Sequence, residues 1–272
     1  MTAVFSVLRL LRFLRVSKVL PSSAKLAAML LLRRMPAFVL VLLLLAVSFA
    51  QSPDTTFRIT PLRPAAELQR EALAATPPHE TGAFRRPELV ELVKLDPTIK
   101  LDIRYATTNN FLSTPMYSQA RAFLQRPASE ALLRAHHALK AKGYGLLIHD
   151  GYRPWYVTKM FWDATPDDKK IFVANPAEGS RHNRGCAVDL TLYDLKTGAA
   201  VKMPSGYDEM SPRAYADYPG GTPEERERRA ILRQAMEKEG FTVYPQEWWH
   251  FDYKDWKHYP IMNVRFENLG KN

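Results

Sequence analysis

The sequence predicts an α+β fold. Amphipathic helical stretches and short strand-like runs are interspersed along residues 92–272, which favours a mixed fold. The strand connections do not repeat as regular strand–helix–strand units, so a parallel α/β sheet is the poorer explanation. The chain of 272 residues is 46% hydrophobic and 11% aromatic, a composition that supports a sizeable core and argues against disorder.

Residues 1–50 have the pattern of an export signal. An arginine pair precedes the apolar run Pro36–Ala50, which ends in small residues before a candidate cleavage point at Gln51. The run of about 15 residues is short for a membrane span. We predict a secretory signal peptide, with an uncleaved N-terminal anchor as the alternative. The residues before Met29 or before Met35 are a candidate upstream extension. The protein is therefore expected to be exported to the periplasm or another extracytoplasmic space, touching the membrane only through this segment if it is uncleaved.

Most of the net positive charge of the chain lies in the same segment. Residues 1–50 hold seven of the 38 Lys and Arg residues and no Asp or Glu. Without them, 31 basic residues stand against 28 acidic ones, and the net charge falls from +10 to +3. A nearly neutral surface does not attract polyanions, so no nucleic-acid partner is expected.

Residues 51–91 are rich in Pro and Ala and predict a linker or loosely packed arm. One short helix is expected within it, around Ala65–Ala75. The folded domain is predicted to span residues 92–272. Its single cysteine, Cys186, excludes an intramolecular disulfide.

The first half of this domain contains one helix and two strands with clear signals. Apolar residues on one stripe of Ser129–Lys142, followed by Gly143, predict a helix and its end. The apolar run Gly145–His149 predicts a short strand. The period-two alternation of Cys186–Leu192 predicts another.

The C-terminal part predicts a helix and two more strands. The sequence Thr222-Pro223-Glu224-Glu225 is a capping box with proline at the first helical position. The helix that it opens is expected to run to Glu239 and to stop at Gly240. Phe241–Tyr244 and Trp248–Tyr253 then predict two strands.

Two short segments together contain the donors of a zinc site. Ser180–Asp189 carries His182 and Asp189, and Glu247–His250 ends in a second imidazole. Two histidines and one carboxylate, with a fourth position left open, are typical of a catalytic zinc ion. Glu247 is placed to act as the general base for water that zinc has made acidic.

The spacing of these donors requires irregular backbone. His182 and Asp189 are seven positions apart, so a regular strand would aim them at opposite faces. We therefore predict a bend at Gly185, a residue that tolerates such a turn. Glu247 and His250 are three apart, which predicts that Glu247 lies in the turn that enters the last strand.

Arg153 follows a predicted strand and precedes Pro154, a position that favours a side chain facing a cleft. Its permanent charge could polarise a carbonyl and stabilise a tetrahedral oxyanion. Taken singly, these residues have ordinary explanations. Asp150 and Arg153 could form a surface ion pair, a buried histidine is commonly a hydrogen-bonded core residue, and residues 248–251 could be a plain core strand.

Taken together, the segments resemble the D-alanyl-D-alanine dipeptidases, including those of vancomycin resistance. This family lies within a wider group of zinc peptidases that contains D,D-carboxypeptidases and hedgehog-like domains. The pattern S-x-H-x-x-G-x-A-x-D is filled by Ser180, His182, Gly185, Ala187 and Asp189, and E-x-x-H by Glu247 and His250. The narrower resemblance rests on Ile103–Phe111, Gly151–Pro154 and Glu247–Phe251. The likeness covers roughly residues 90–265. Cys186 departs from the family, which usually has a small residue such as serine there.

The resemblance implies a zinc D,D-dipeptidase domain with a small, mainly antiparallel sheet that carries the metal and is flanked by helices. It implies one Zn²⁺ per subunit, held by His182, Asp189 and His250. It implies that Glu247 is the general base and that Arg153 stabilises the transition state. It further implies that Asp208 binds the substrate's ammonium group and that Ser180 helps to hold the substrate.

The predicted function is zinc-dependent hydrolysis of D-alanyl-D-alanine or a related small D,D-dipeptide. One alternative is a D,D-carboxypeptidase that trims peptidoglycan stem peptides. A second is a non-catalytic zinc-bearing module that binds the cell wall.

Overall fold

The structure is a computed structural model that describes residues 56–270. The predicted signal segment, residues 1–50, lies outside the described part of the chain. Within residues 56–270, no helix is both long enough and apolar enough to cross a membrane.

Seven strands form two sheets among the described residues. They are β1 (Leu89–Glu91), β2 (Lys100–Leu101), β3 (Phe123–Gln125), β4 (Tyr144–Asp150), β5 (Ala187–Asp194), β6 (Phe241–Tyr244) and β7 (Glu247–Tyr253). The main sheet has the order β2–β4–β5–β7–β6, in which only the β2–β4 pair is parallel. β1 and β3 form a separate antiparallel ribbon. The predicted α+β fold with a small, mainly antiparallel sheet is confirmed.

Five α-helices flank these strands in the described residues. They are α1 (Ala65–Ala74), α2 (Leu92–Leu95), α3 (Arg126–Lys140), α4 (Trp155–Ala164) and α5 (Pro223–Lys238). α3 packs against β4 and α5, and α5 also packs against β6. The buried side chains of α3 include Leu132 and Leu139, which belong to the hydrophobic core around the sheet.

The local signals in the sequence mark the helix ends well. α3 begins at Arg126, three residues before the predicted start, because Pro127 occupies its first turn, where a missing N–H costs nothing. The capping box of α5 forms in both directions. The Thr222 hydroxyl accepts from the Glu225 N–H at 3.2 Å, and the Glu225 carboxylate accepts from the Thr222 N–H at 2.9 Å. α5 ends at Lys238, one residue before the predicted Glu239.

The segment that was expected to be a loose arm is packed onto the domain. α1 forms where the sequence predicts a helix, and its Leu68 and Ala72 are fully buried. They are four residues apart, so they share the helix face that packs against α4. The Leu62 N–H also donates to the Ala164 carbonyl at 3.0 Å. The Pro and Ala content predicts a linker, but the buried face of α1 and these backbone contacts anchor the segment to the domain.

Candidate metal centre and active site

The predicted bend at Gly185 is present. His182 begins a short 3₁₀ turn, and Gly185 ends it in the left-handed region with a φ of 66°. The Gly185 N–H donates to the His182 carbonyl at 3.0 Å, and the Ser180 hydroxyl accepts from the His182 N–H at 3.2 Å. The chain then enters β5, where the carboxylate of Asp189 lies 3.3 Å from His182 Nε2. The turn therefore brings together two side chains that a regular strand would separate.

Replacing Gly185 by alanine is expected to destabilise the protein. An L-residue in the left-handed region costs roughly 1–2 kcal/mol. In addition, a Cβ at this position would lie 2.7 Å from Leu89 Cδ2. Gly143→Ala is the matched control, because Gly143 also has a positive φ, 82°, but a Cβ there would meet nothing within 4 Å. Thermal unfolding should show the larger loss for Gly185→Ala; equal losses would mean that the approach to Leu89 is without effect.

His250 and Glu247 are brought together by an irregularity in β7. His250 lies opposite Asp189 in the β5–β7 ladder. On the other side of β7, the pairing passes from Val243–Phe251 directly to Tyr244–Glu247, so residues 248–250 have no counterpart in β6. The expected position of Glu247 in the turn is corrected, because it is the first residue of β7. The register shift replaces the turn in bringing a Glu247 oxygen to 3.7 Å from His250 Nδ1.

Each histidine is oriented by an acceptor on its outer nitrogen. His182 Nδ1 lies 2.7 Å from the Gly151 carbonyl oxygen, and His250 Nε2 lies 2.9 Å from an Asp252 carboxylate oxygen. An acceptor at one ring nitrogen of a neutral imidazole holds the proton there, so the other nitrogen presents a lone pair. His182 Nε2 and His250 Nδ1 therefore face the centre of the site as lone-pair donors.

Three donor atoms meet in a buried triangle. His250 Nδ1 is 3.1 Å from both His182 Nε2 and Asp189 Oδ1, and His182 Nε2 is 3.3 Å from Asp189 Oδ1. The Asp189 Oδ1 atom is buried and has no hydrogen-bond partner. Two lone pairs and a carboxylate oxygen at such distances repel one another unless a positive charge lies between them.

The triangle fits a zinc ion. Bonds of 2.0–2.1 Å at the tetrahedral angle separate ligand atoms by about 3.3 Å, close to the distances found here. Without a metal, the surroundings of His250 show the same demand for positive charge. Burial lowers its pKa, but the carboxylates of Asp252 and Asp189 outweigh burial and raise the pKa to about 10. These three residues are the group of described residues whose side chains could hold a metal ion.

The pKa of Glu247 suits a general base that works near neutral pH. Burial raises the pKa of its carboxyl group to about 7. The positive charges of His250 and Arg153 oppose this rise, and the negative charge of Asp189 adds to it. A carboxylate with such a pKa is a stronger proton acceptor than an exposed glutamate.

Arg153 and Asp150 form a buried pair rather than a surface one. Arg153 Nε lies 2.9 Å from Asp150 Oδ2, and the two side chains are 9% and 1% exposed. The other oxygen of Asp150 accepts a hydrogen bond from the Tyr117 hydroxyl at 2.7 Å. The guanidinium group packs over the ring of Phe161, with 4.7 Å between its central carbon and the ring centroid. Burial lowers the pKa of Arg153, but Asp150 raises it well above its usual value, so the cation is permanent.

Asp208 presents an unpaired carboxylate oxygen in the same cavity. Its backbone has a φ of 61°, and its Oδ1 accepts from the Tyr105 hydroxyl at 2.9 Å. Its Oδ2 is buried without a hydrogen-bond partner. Burial, with the nearby charge of Asp189, raises the pKa of Asp208 well above its usual value. A cationic group of a ligand would both satisfy this oxygen and restore the carboxylate charge.

The seven residues to which the sequence analysis gives a metal-binding, catalytic or substrate-binding role meet in one cavity of about 460 Å³. Its lining includes Arg153, Ser180, His182, Asp189, Asp208, Glu247 and His250. Cys186, the departure from the family pattern, is not part of it. This residue is fully buried in the core, and burial raises the pKa of its thiol to about 12, which keeps it from acting as a thiolate ligand.

Sequence reasoning missed two residues that support the site. Asp252 follows His250 by two positions, so the period of a strand places both on one face, and this signal was available. Tyr207 donates its hydroxyl to Asp189 Oδ2 at 3.0 Å from an irregular segment between β5 and α5. No periodicity marks such a segment, so only the structure reveals this contact.

Known proteins resemble this chain across the described domain. Residues 85–269 match the peptidase M15 family described as D-ala-D-ala dipeptidase. A D-alanyl-D-alanine dipeptidase of Escherichia coli (strain K12) is 35% identical over 179 residues, which cover 66% of this chain and 91% of that protein. One of Enterococcus faecium is 37% identical over 175 residues, covering 58% and 87%. The solved structure of the LdcB LD-carboxypeptidase is similar at 19% identity and a TM-score of 0.36, covering 65% and 74%.

Proposed function

The chain belongs to the D-ala-D-ala dipeptidase family of M15 peptidases, and we propose that it hydrolyses D-alanyl-D-alanine or a related small D,D-dipeptide with the help of one zinc ion. The proposed zinc site is supported by the buried triangle of His182, Asp189 and His250, in which one Asp189 oxygen has no hydrogen-bond partner. The peptide chemistry is supported by Glu247 and Arg153, which line the same cavity. A plain zinc-binding module would need neither of them.

The three proposed ligands would hold a zinc ion that supplies part of the chemistry. When bound there, zinc acts as a Lewis acid that polarises a carbonyl group and makes water acidic. His182 and His250 would hold it through the nitrogens that face the triangle, and Asp189 through Oδ1. The Gly151 carbonyl and the Asp252 carboxylate keep both rings in the tautomer that this requires.

Glu247 and Arg153 would have different roles in hydrolysis, proton transfer and stabilisation of the oxyanion. The Glu247 carboxylate accepts the proton of the attacking water and later delivers it to the leaving amine. The Arg153 guanidinium, held rigidly by Asp150, donates hydrogen bonds to the carbonyl oxygen as it becomes negative. Because Arg153 is already buried and oriented, little reorganisation accompanies this charge development.

Asp208 would select a substrate with a free ammonium group. Its unpaired Oδ2 is an acceptor buried in the cavity, and an ammonium group is the ligand that both fills its hydrogen-bonding capacity and compensates its charge. A long stem peptide lacks a free ammonium group next to the scissile bond. This observation favours a dipeptidase over a D,D-carboxypeptidase. Ser180 is proposed to contribute mainly by supporting the His182 turn.

We also propose that the protein acts outside the cytoplasm. The signal-like residues 1–50 support export to the periplasm or another extracytoplasmic space, where peptidoglycan fragments occur. No nucleic-acid partner is proposed, since most of the net positive charge of the chain lies in that segment.

The test is hydrolysis by the purified protein of D-Ala-D-Ala, L-Ala-L-Ala and a stem pentapeptide that ends in D-Ala-D-Ala. We expect release of D-alanine from the D,D-dipeptide alone, loss of this activity on chelation, and recovery on addition of zinc. Undiminished hydrolysis after complete metal removal would contradict the zinc mechanism. Cleavage of the pentapeptide would instead favour the carboxypeptidase alternative, and zinc binding without any hydrolysis would favour the binding module.

A further inference from the structure

Tyr207 contacts the proposed zinc ligand Asp189 on the side that faces away from the histidines. Its hydroxyl donates to Asp189 Oδ2 at 3.0 Å, and the residue is only 4% exposed. Asp189 Oδ1, in contrast, faces the two imidazole nitrogens and has no hydrogen-bond partner. The two oxygens of one carboxylate thus have different roles, and Tyr207 makes the hydrogen bond that distinguishes them.

The ring of Tyr207 is held in place from two directions. The imidazole of His149 stacks on it with a centroid distance of 4.4 Å and an interplanar angle of 14°. The ring of Trp249 meets it edge-on at 5.6 Å. His149 is itself held by Asp102, whose carboxylate lies 3.3 Å from His149 Nδ1. A phenol fixed in this way keeps its hydroxyl directed at one point.

We propose that Tyr207 is a positioning residue that holds Asp189 as a one-oxygen zinc ligand, with His149 fixing the orientation of its ring. A hydrogen bond to Oδ2 occupies that oxygen and opposes its rotation toward the metal, so Oδ1 alone remains directed at the triangle. This inference rests on the proposed zinc function, because it assigns a role to Tyr207 only if the triangle binds the metal.

The test compares the zinc affinity of the wild-type protein with that of two tyrosine variants, by competition with a chromophoric zinc chelator. Tyr207→Phe removes only the hydroxyl. Tyr193→Phe is the matched control, since the hydroxyl of Tyr193 donates to the Thr98 carbonyl at 2.7 Å and the residue, 5% exposed, lies on the same strand as Asp189. Loss of an outer hydrogen bond to a ligand typically weakens metal binding about 10- to 100-fold. We expect such a loss for Tyr207→Phe and none for Tyr193→Phe.

Two further measurements separate positioning from folding. The melting temperature of the metal-free protein should fall in both tyrosine variants, because each loses the one hydrogen bond that its hydroxyl donates. His149→Leu, which keeps an apolar side chain but removes the stacked ring, should weaken zinc binding by less than Tyr207→Phe. If Tyr207→Phe does not fold, His149→Leu still tests whether the orientation of the Tyr207 ring affects zinc binding.

The outcomes distinguish this inference from the function on which it rests. If the wild-type protein binds no zinc, the proposed metal site and the role of Tyr207 both fail. If the wild-type protein binds zinc and neither Tyr207→Phe nor His149→Leu weakens binding, the zinc site stands and only the positioning role is overturned.

Discussion

Glu247→Gln is expected to lower kcat for D-Ala-D-Ala by roughly 10²- to 10⁴-fold, the usual contribution of a positioned general base. Glutamine preserves the size of the side chain but cannot accept the proton of the attacking water. Zinc content should remain at one ion per chain, because Glu247 is not one of the three proposed ligands. Steady-state kinetics and elemental analysis of the same preparation measure both quantities.

The control for this variant is Glu178→Gln. Glu178 is an exposed carboxylate that lines the same cavity, so the substitution removes an equal charge from the site's surroundings. It should leave kcat within a few-fold of the wild-type value. If Glu247→Gln retained activity similar to that of Glu178→Gln, the base would have to be another group.

The pH dependence of the wild-type enzyme should have its acid limb in the range set by Glu247. The carboxyl group works as a base only when it is deprotonated, so the rate should fall as the pH decreases below its pKa. That pKa is about 7 without a metal, and a bound cation would lower it further. The limb is therefore expected at pH 7 or below, and it should be absent from the residual activity of Glu247→Gln.

Arg153→Met is expected to lower both the folding stability of the protein and its kcat. It leaves Asp150 buried without its cation, a change that typically costs about 3–5 kcal/mol of folding free energy. It also removes the donors for the oxyanion, which should lower kcat by roughly 10²- to 10³-fold. Thermal unfolding and steady-state kinetics should therefore both change.

The double variant Asp150→Asn/Arg153→Met separates these effects. It removes the unpaired charge but keeps an oxygen acceptor for the Tyr117 hydroxyl and the Gly151 N–H, so much of the lost stability should return. Activity should stay low, because no group replaces the guanidinium. Arg153→Lys should also remain impaired, since a lysine lacks the planar set of donors. Recovery of full activity in the double variant would assign Arg153 a structural role only.

Much of the fold and the site could be predicted because the relevant rules are local. A capping box needs only residues 222–225, and it forms as predicted. The bend at Gly185 follows from the odd spacing of His182 and Asp189, since period two would place them on opposite faces of a strand. The packing of the arm before Leu92 could not be predicted in the same way, because Leu68 and Ala72 become core contacts only when α4 lies beside them.

The sequence by itself determined the set of donors, their intervals along the chain and the places where the backbone must turn, because these depend on side-chain chemistry and on local conformational preferences. Only the tertiary structure decided that one ring nitrogen of His182 and one of His250, 68 positions apart in the chain, face each other at 3.1 Å. It also decided that a register shift in β7, rather than a turn, brings Glu247 to them, and that Tyr207 supports Asp189. These features depend on which distant segments meet and on how completely water is excluded between them. Both are properties of the packed chain, and they also set the acidity of Glu247 and the permanence of the Arg153 charge.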